Sequence, residues 1–591
     1  MNMRTSSRTL TLLFMAVLVA RMETSSAADL VVGNLIQFNE NGAWCWYQDP
    51  RVVIDKANDT VLISSVANSE GSDGDTRAGD VDVVAFHTDT GVRSRYVLHH
   101  ALDPQDDHNV AAILIRPDGR YLAMYTRHNH DHLSYWRIST RPHDAGDWGP
   151  EQTFDWTDAI GAAGAASRVT YSNLFYLPAE GKTYDFSRAI NDDPSILVST
   201  SNGDQWSCAG KLLTEQKLGY VNGYTKYASN GADRIDFITT EHHPRDFNNS
   251  IYHGYLEGGK LHRSDGTVVE DDVFKSPGVP QTELTQVFAA NSMFDGTIMT
   301  HAWTIALAID GAGRPYGLIS ARADDQPENS NFQDHRFFYV RYDGKQWQVH
   351  QLAKAGACLW PAEQDYTGLA ALNPSDPNVV YVSTTLDPRN DTPLDFHEIF
   401  QGKTADGGGT WSWSPITRNS TVDNLRPLVV AWDGDNSLLA WFRGTMSRSQ
   451  GYDAAIVGTL IGNRERMGKI EYLPASSLAT TASPDGSNAR VKLPRMEEGT
   501  CDLFAFFWSD TAGDQRISAG LSADQSMVFR RRSAQQAEAS QFSSSVNVED
   551  GNRLLYRAFI GRMQVKAAQP VEVLVDRQTI AGLGYAKISP W

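Results

Sequence analysis

The chain of 591 residues is 41% hydrophobic and 21% charged, with a formal net charge of −19. That is enough length and apolar content for a large core and more than one domain, which excludes a disordered chain. An acidic excess of this size repels nucleic acid and anionic membranes, while a pocket lined locally with arginine still admits an acidic substrate.

Residues 1–28 read as a signal peptide: Arg4 and Arg8 open it, an apolar run covers residues 10–20, and Ser25, Ser26, Ala27 and Ala28 are small. The run is too short for a comfortable membrane span and no other stretch is apolar for long enough, so the mature chain is expected to be secreted and soluble. Loss of the leader removes three cations and one anion and takes the charge to −21.

Residues 29–462 repeat one theme, a short apolar or alternating run followed by a Gly, Asp or Asn turn. Examples lie at 81–86, 196–199, 234–238, 337–340 and 379–382. Helical periodicity is nearly absent, which predicts an all-β region. In one hairpin, Val110 to Ile115 and Tyr121 to Tyr125 flank Pro117-Asp118-Gly119-Arg120, where Asp-Gly suits the turn. The open end of that hairpin carries Asp106-Asp107-His108-Asn109 on one strand and Arg127-His128-Asn129-His130-Asp131-His132 on the other. Antiparallel pairing makes His108 and His128 neighbours.

Thr404 to Trp411 fits an Asp-box, S/T-x-D-x-G-x-x-W, a turn held by its Asp with the Trp packed beneath. Ser199 to Trp206 is the same frame with Ser in place of Asp, and Tyr342 to Trp347 and Asp147-Trp148 are eroded copies. The spacing is 58 residues from Trp148 to Trp206 and 64 from Trp347 to Trp411, one four-stranded blade with its loops. At about 60 residues per blade, the region predicts a seven-bladed β-propeller. A Ser/Thr/Ala/Gly stretch over 475–489 reads as a linker. Strand-like runs near 503–508, 527–530, 554–559 and 571–575 predict a small C-terminal β-sandwich accessory domain within 463–591. The four cysteines, Cys45, Cys208, Cys358 and Cys501, show no CxxC spacing and leave one or two bridges or buried thiols open.

Functional groups on a propeller gather on one face around the axis, from strand ends of several blades. Polar residues so placed are His108, Asn109, His128, His130, Tyr171, Asn173, Arg188, Tyr224, Lys226, His243, His301, His335, Arg426 and Arg443. Singly, each is as well explained by satisfying a backbone group. The recurrence of His, Tyr and Arg in consecutive blades is what points to chemistry.

The segments Trp44 to Arg51, Asp107-His108-Asn109, Tyr171-Ser172-Asn173, Asn249 to His253, Asp334-His335-Arg336, Thr404 to Trp411 and Asn419 to Pro427 resemble the BNR-repeat propeller lyases, which include ulvan lyases and other lyases of the rhamnose-α-1,4-glucuronate linkage. The resemblance covers about residues 35–460. It implies β-elimination on an acidic polysaccharide, with His108 and Tyr171 as base and acid in either order, Arg188 on the uronate carboxylate, and His128, Asn109 and Tyr224 as substrate contacts. The chemistry suits these types. A permanently charged, bidentate arginine stabilises the charge that develops when C5 loses its proton, and histidine and tyrosine move protons near neutral pH. No cofactor is required for that reaction. His243 and His335 are candidates for a structural divalent ion, calcium or zinc, with His301 or Cys358 as further ligands assembled across blades. The expected partner is the polysaccharide alone, bound by a monomer. Two other readings stay open, a sialidase-like exo-glycosidase with Arg51 as its first arginine, and a carbohydrate-binding propeller without catalysis.

Overall fold

The structure, a computed structural model, describes residues 29–591 except 89–90, 161–165, 217, 220, 324–333, 433–435, 463–464, 468–470, 476–477, 483–488, 494–495, 497, 510–515, 522–526, 531–543, 551–552, 567–570, 576–579 and 591. The predicted signal peptide lies outside the described residues.

Among the described residues up to 461, alternating and apolar runs punctuated by turns form seven antiparallel sheets of four or more strands in chain order, beside a two-stranded pairing of Leu30–Val31 with Thr417–Arg418. The first contains Val52–Asp55, Thr60–Val66, Val81–His87 and Arg93–His99. Ala112–Ile115, Tyr121–Thr126, Leu133–Ile138 and Gln152–Asp155 build the second. Ala166–Thr170 and Leu174–Leu177 both pair with Lys182–Ile190 in the third. The fourth begins at Thr225–Ser229, the fifth runs from Ser292–Phe294 to Trp347–Gly356, and the sixth from Ala370–Leu372 to Ser412–Pro415. The seventh joins Asp423–Ala431, Ser437–Arg448 and Gly451–Ile461, and its fourth strand is Ile36–Asn39 from the other end of the described chain. This pairing closes the ring by hydrogen bonds between residues more than 400 positions apart.

The hairpin predicted between the two histidine clusters forms as read. Ala112 pairs with Met124 and Ile115 with Tyr121, and Gly119 takes φ +78 in the turn. In the turn at Thr404 to Trp411, Asp406 accepts from Thr410 N at 2.9 Å, and Trp411 donates to Gly408 O at 3.0 Å with its ring against Tyr339. The segment over 475–489 differs from the linker reading. Ala479–Ala482 pairs with Ala489–Lys492, while residues 476–477 and 483–488 of that segment lie outside the described residues. The strands beyond residue 464 make two further sheets. Their core residues Val491, Val573, Cys501 and Leu503 pack in one cluster with Trp441, Val457 and Tyr381 of the sixth and seventh sheets. All four cysteines are free thiols. Among the described residues no helix is long and apolar enough to cross a membrane.

Residues from most of the sheets line a shared axial cavity of about 270 Å³, among them Val52, Ala228, Ile305, Ala371 and Val429. The segment Trp44 to Pro50 crosses above it as a plug. Trp46 Nε1 donates to Thr304 O at 3.1 Å, Tyr47 Oη to the same carbonyl at 2.9 Å, and Gln48 Nε2 to His108 O at 2.6 Å. Asp49 N donates to Asn173 Oδ1 at 3.1 Å, and Pro50 O accepts from Ile113 N at 2.6 Å. Asp49 also pairs with Arg51 at 2.8 Å and with the buried Lys226. A buried charge stripped of its partner is costly, so Asp49→Ala is expected to lower stability by roughly 3–5 kcal/mol. The fall should appear as a lower urea midpoint at unchanged m-value, and a loss under about 1 kcal/mol would show that the plug holds without its charges.

Candidate active site

The site sits above the plug, where turns and strand ends of the second, third and fourth sheets meet. Asp106 accepts from His108 N at 2.9 Å and so starts the one-turn helix Asp107–Asn109, which presents His108. Tyr171 takes the left-handed conformation with φ +71, an uncommon state for a residue with a side chain. Its neighbours hold it there. Ser187 Oγ donates to Tyr171 O at 3.0 Å, and Asn173 N donates to the buried Asp185 at 2.8 Å. Asp49 O accepts from Leu174 N at 2.8 Å, so the plug and the third sheet fix the Tyr171 turn together.

These elements bring the expected residues together. The rings of His108 and His128 stack at 4.2 Å and 13°. Tyr171 lies 5.9 Å from His108 and 6.2 Å from Tyr224, centroid to centroid. Arg188 sits over both tyrosines, 5.0 Å from the Tyr171 ring and 5.2 Å from that of Tyr224. His108, Tyr171, Arg188 and Tyr224 are all buried, and the His128 side chain is 19% exposed.

One carboxylate joins the two histidines. Asp106 Oδ1 meets His108 Nδ1 at 2.7 Å, and Oδ2 meets His128 Nδ1 at 2.9 Å. Asp107 Oδ1 lies 2.6 Å from His108 Nδ1, and its other oxygen takes the buried Arg426. Burial works against a charged His108, yet Cys45, Asp107 and Asp106 outweigh it and raise its pKa well above the ordinary value. For His128, burial and then the His108 charge lower the pKa, against Asp106. Burial would also neutralise Asp106, and the two histidines reverse this and hold it well below the carboxylate range. Burial pushes Tyr171 well above 10, with Tyr224 adding and Arg188 opposing. Near neutral pH the site therefore holds two proton donors, His108 and Tyr171, beside a neutral His128.

Asn109 is corrected from a substrate contact to a support. It has no exposure, its Nδ2 donates to Pro104 O at 2.9 Å, and its Oδ1 accepts from His128 N at 2.8 Å. His243 and His335 each have ring partners within the protein. His243 packs against Tyr224 at 4.9 Å and Trp303 at 5.3 Å, and its Nδ1 accepts from Arg245 N at 3.1 Å. Burial, then Arg245 and Arg188, lower its pKa well below the ordinary value. His335 sets its two ring nitrogens against Gly356 O at 3.1 Å and Gln364 O at 2.7 Å. Among the described residues, the one group with metal-ligand spacing is Asp106, His108 and His128, whose ligand atoms lie within 4.8 Å of one another.

Sequence reasoning missed Tyr47, Trp303 and Tyr366 as site residues; together with Arg426, one of its candidates, they floor and wall the site. Tyr47 lies 5.4 Å from Tyr171 and 5.0 Å from Tyr224, and Arg426 lies over Trp46 at 5.1 Å. The trace of Tyr47 in sequence was the run Trp44-Cys45-Trp46-Tyr47, too rich in rings for an ordinary turn. Arg51 lies on the far side, bonded to Gln48 O and Asp49 and lining the axial cavity.

The fold and site thus define an all-β, propeller-like protein with a buried His, Tyr and Arg cluster near its axis. Residues 77–355 match the model of the BNR repeat-containing family. No curated protein matches the chain. Two solved structures of an ulvan lyase, described as a new family of polysaccharide lyase, match at TM-score 0.50 and 14% identity. Each match covers 72% of this chain and 97% of the other, and one of the two holds -[GlcA(1-4)Rha3S]-. At that identity the likeness is one of fold.

Asp185, beneath the Tyr171 turn, is fully buried, and burial raises its pKa to about 7 against hydrogen bonds from Ser187 and Asn173 N. The folded state binds this proton more tightly than the unfolded chain, so stability falls as pH rises from about 4 through about 7, by up to roughly 4 kcal/mol. Thermal melts from pH 5 to pH 8 should show the wild type losing stability relative to Asp185→Asn. A constant difference between the two would contradict the burial argument.

Proposed function

We propose that the chain is a secreted polysaccharide lyase, built as a seven-bladed β-propeller with a C-terminal β-sandwich, that cleaves a rhamnose-α-1,4-glucuronate linkage in ulvan or a similar uronate polymer by β-elimination. The observation that carries this reading is the stacking of Arg188 over Tyr171 and Tyr224 beside the His108 and His128 pair. A buried cation among proton-transfer groups is what elimination next to a carboxylate needs. The match to an ulvan lyase fold supports the same reading.

In this reaction Arg188 binds the uronate carboxylate and stabilises the charge that builds on it as the C5 proton leaves. The raised pKa of His108 favours it as the donor to the leaving O4, and the lowered pKa of His128 favours it as the acceptor of the C5 proton. The C5–H bond and the C4–O bond break, a C4=C5 bond forms, and the protons return through water. Tyr171 stays a phenol and is a second donor along the same face. The sialidase-like alternative loses its support, since Arg51 is tied to Asp49 beneath the floor.

A panel of uronate polysaccharides, followed by ultraviolet absorbance of the unsaturated product, tests the proposal. Wild type should release that product from at least one rhamnose-glucuronate polymer, and His108→Ala and Arg188→Lys should each slow it roughly 100-fold or more. Saturated reducing ends would instead mark a glycosidase, and silence across the panel would end the lyase reading.

A further inference from the structure

We infer that Asp106 is a positioning residue, each of its two carboxylate oxygens holding the Nδ1–H of one stacked histidine so that both rings present Nε2 to the substrate. This rests on the proposed reaction for its purpose, while the clamp itself stands on geometry.

Asp106 is 2% exposed and meets four donors from three parts of the chain: His108 N, His108 Nδ1, His128 Nδ1 and Gln450 Nε2. A carboxylate so held has no freedom to rotate, and the rings inherit that rigidity. With Nδ1 committed on each ring, Nε2 is the atom left for the substrate. The backbone is pinned as well, since Gln48 donates to His108 O and Asn109 accepts from His128 N.

The clamp also decides how charge divides between the rings. Two imidazolium rings 4.2 Å apart repel strongly, and one carboxylate offsets one positive charge. The surroundings break the tie. His108 feels Cys45 and Asp107 besides Asp106, and its charge reaches Glu363, Tyr366 and His243 across the site. His128 faces Arg188 and His108, both of which disfavour its proton. The extra proton therefore resides on His108 and the vacant nitrogen on His128, the arrangement that one donor and one acceptor on a single sugar face require.

Nitrogen chemical shifts of the histidines in the substrate-free wild type test the clamp directly, with His108→Ala and His128→Ala assigning the signals. His128 should be the Nδ1–H tautomer, and His108 should stay charged well above pH 6.5. Asp106→Asn places an amide N–H against one ring nitrogen, so one ring must change tautomer. In that variant kcat should fall 100-fold or more while KM stays within about threefold, because Asp106 holds the rings and not the substrate. An Nε2–H tautomer for His128 in the wild type overturns the inference, as does an Asp106→Asn variant whose kcat is unchanged or falls only in step with a rise in KM. The tautomer needs no substrate, so the expected shifts from a protein that eliminates no uronate polymer would keep the clamp and defeat the lyase reading.

Discussion

The architecture turns on Asp49, a carboxylate set into the segment that closes the axis, with Arg51 and Lys226 on it. Two cations and one anion in a buried setting are costly to desolvate, and such a group persists only where its geometry is tightly held. Here the backbone holds it. Asp49 N and O bind Asn173 and Leu174 N, the carbonyl of Pro50 binds Ile113 N, and Lys226 donates to Trp46 O. The second, third and fourth sheets are thereby fixed to one short segment. The site inherits its precision from that segment, because Tyr47, Gln48 and Asp49 contact or support Tyr171, His108 and the turn between Tyr171 and Leu174.

Above the plug, burial governs the chemistry. The same desolvation that raises Tyr171 and Asp185 works against charge on His108, His128 and His243, so charge survives only where carboxylates surround it. His108 has Asp106 and Asp107; His128 shares Asp106 alone and feels the charge of Arg188. Two rings of the same type, stacked face to face, thus end in opposite states through their neighbours. The supporting residues are themselves buried and bonded, as with Arg426 on Asp107 and Trp44 O.

Much of this was legible in the sequence where a local rule operates. Asp-Gly at a turn and apolar runs on either side foretold the 112–126 hairpin, and the hairpin alone made neighbours of His108 and His128. Apolar runs, and one alternating run at 234–238, foretold strands in the first six sheets and in the two beyond residue 464. What escaped were features made by distant parts of the chain. The role of Asn109 depends on a backbone N–H 19 residues away, and His335 is spent on carbonyls of Gly356 and Gln364. No spacing announces such partners. The aromatic run at Trp44 to Tyr47 was visible, yet its place across the axis follows only from ring closure between Ile36–Asn39 and Gly451–Ile461.

The overall charge sharpens the meaning of Arg188. A chain at −19 repels a polyanion at long range, and at physiological ionic strength that repulsion fades beyond about 8 Å. Attraction in the proposed reaction must then be short-ranged and confined to the site. A guanidinium stacks through its faces and donates in its plane, so packing on Tyr171 and Tyr224 is compatible with bidentate donation to a carboxylate, which an ammonium cannot give. The rings also keep water off the cation, so its field acts with little screening once a uronate is seated. The charge building on that carboxylate as C5 loses its proton gains more from Arg188 than the resting substrate does. In the proposed reaction that difference, rather than tight binding of the polymer, is what lowers the barrier.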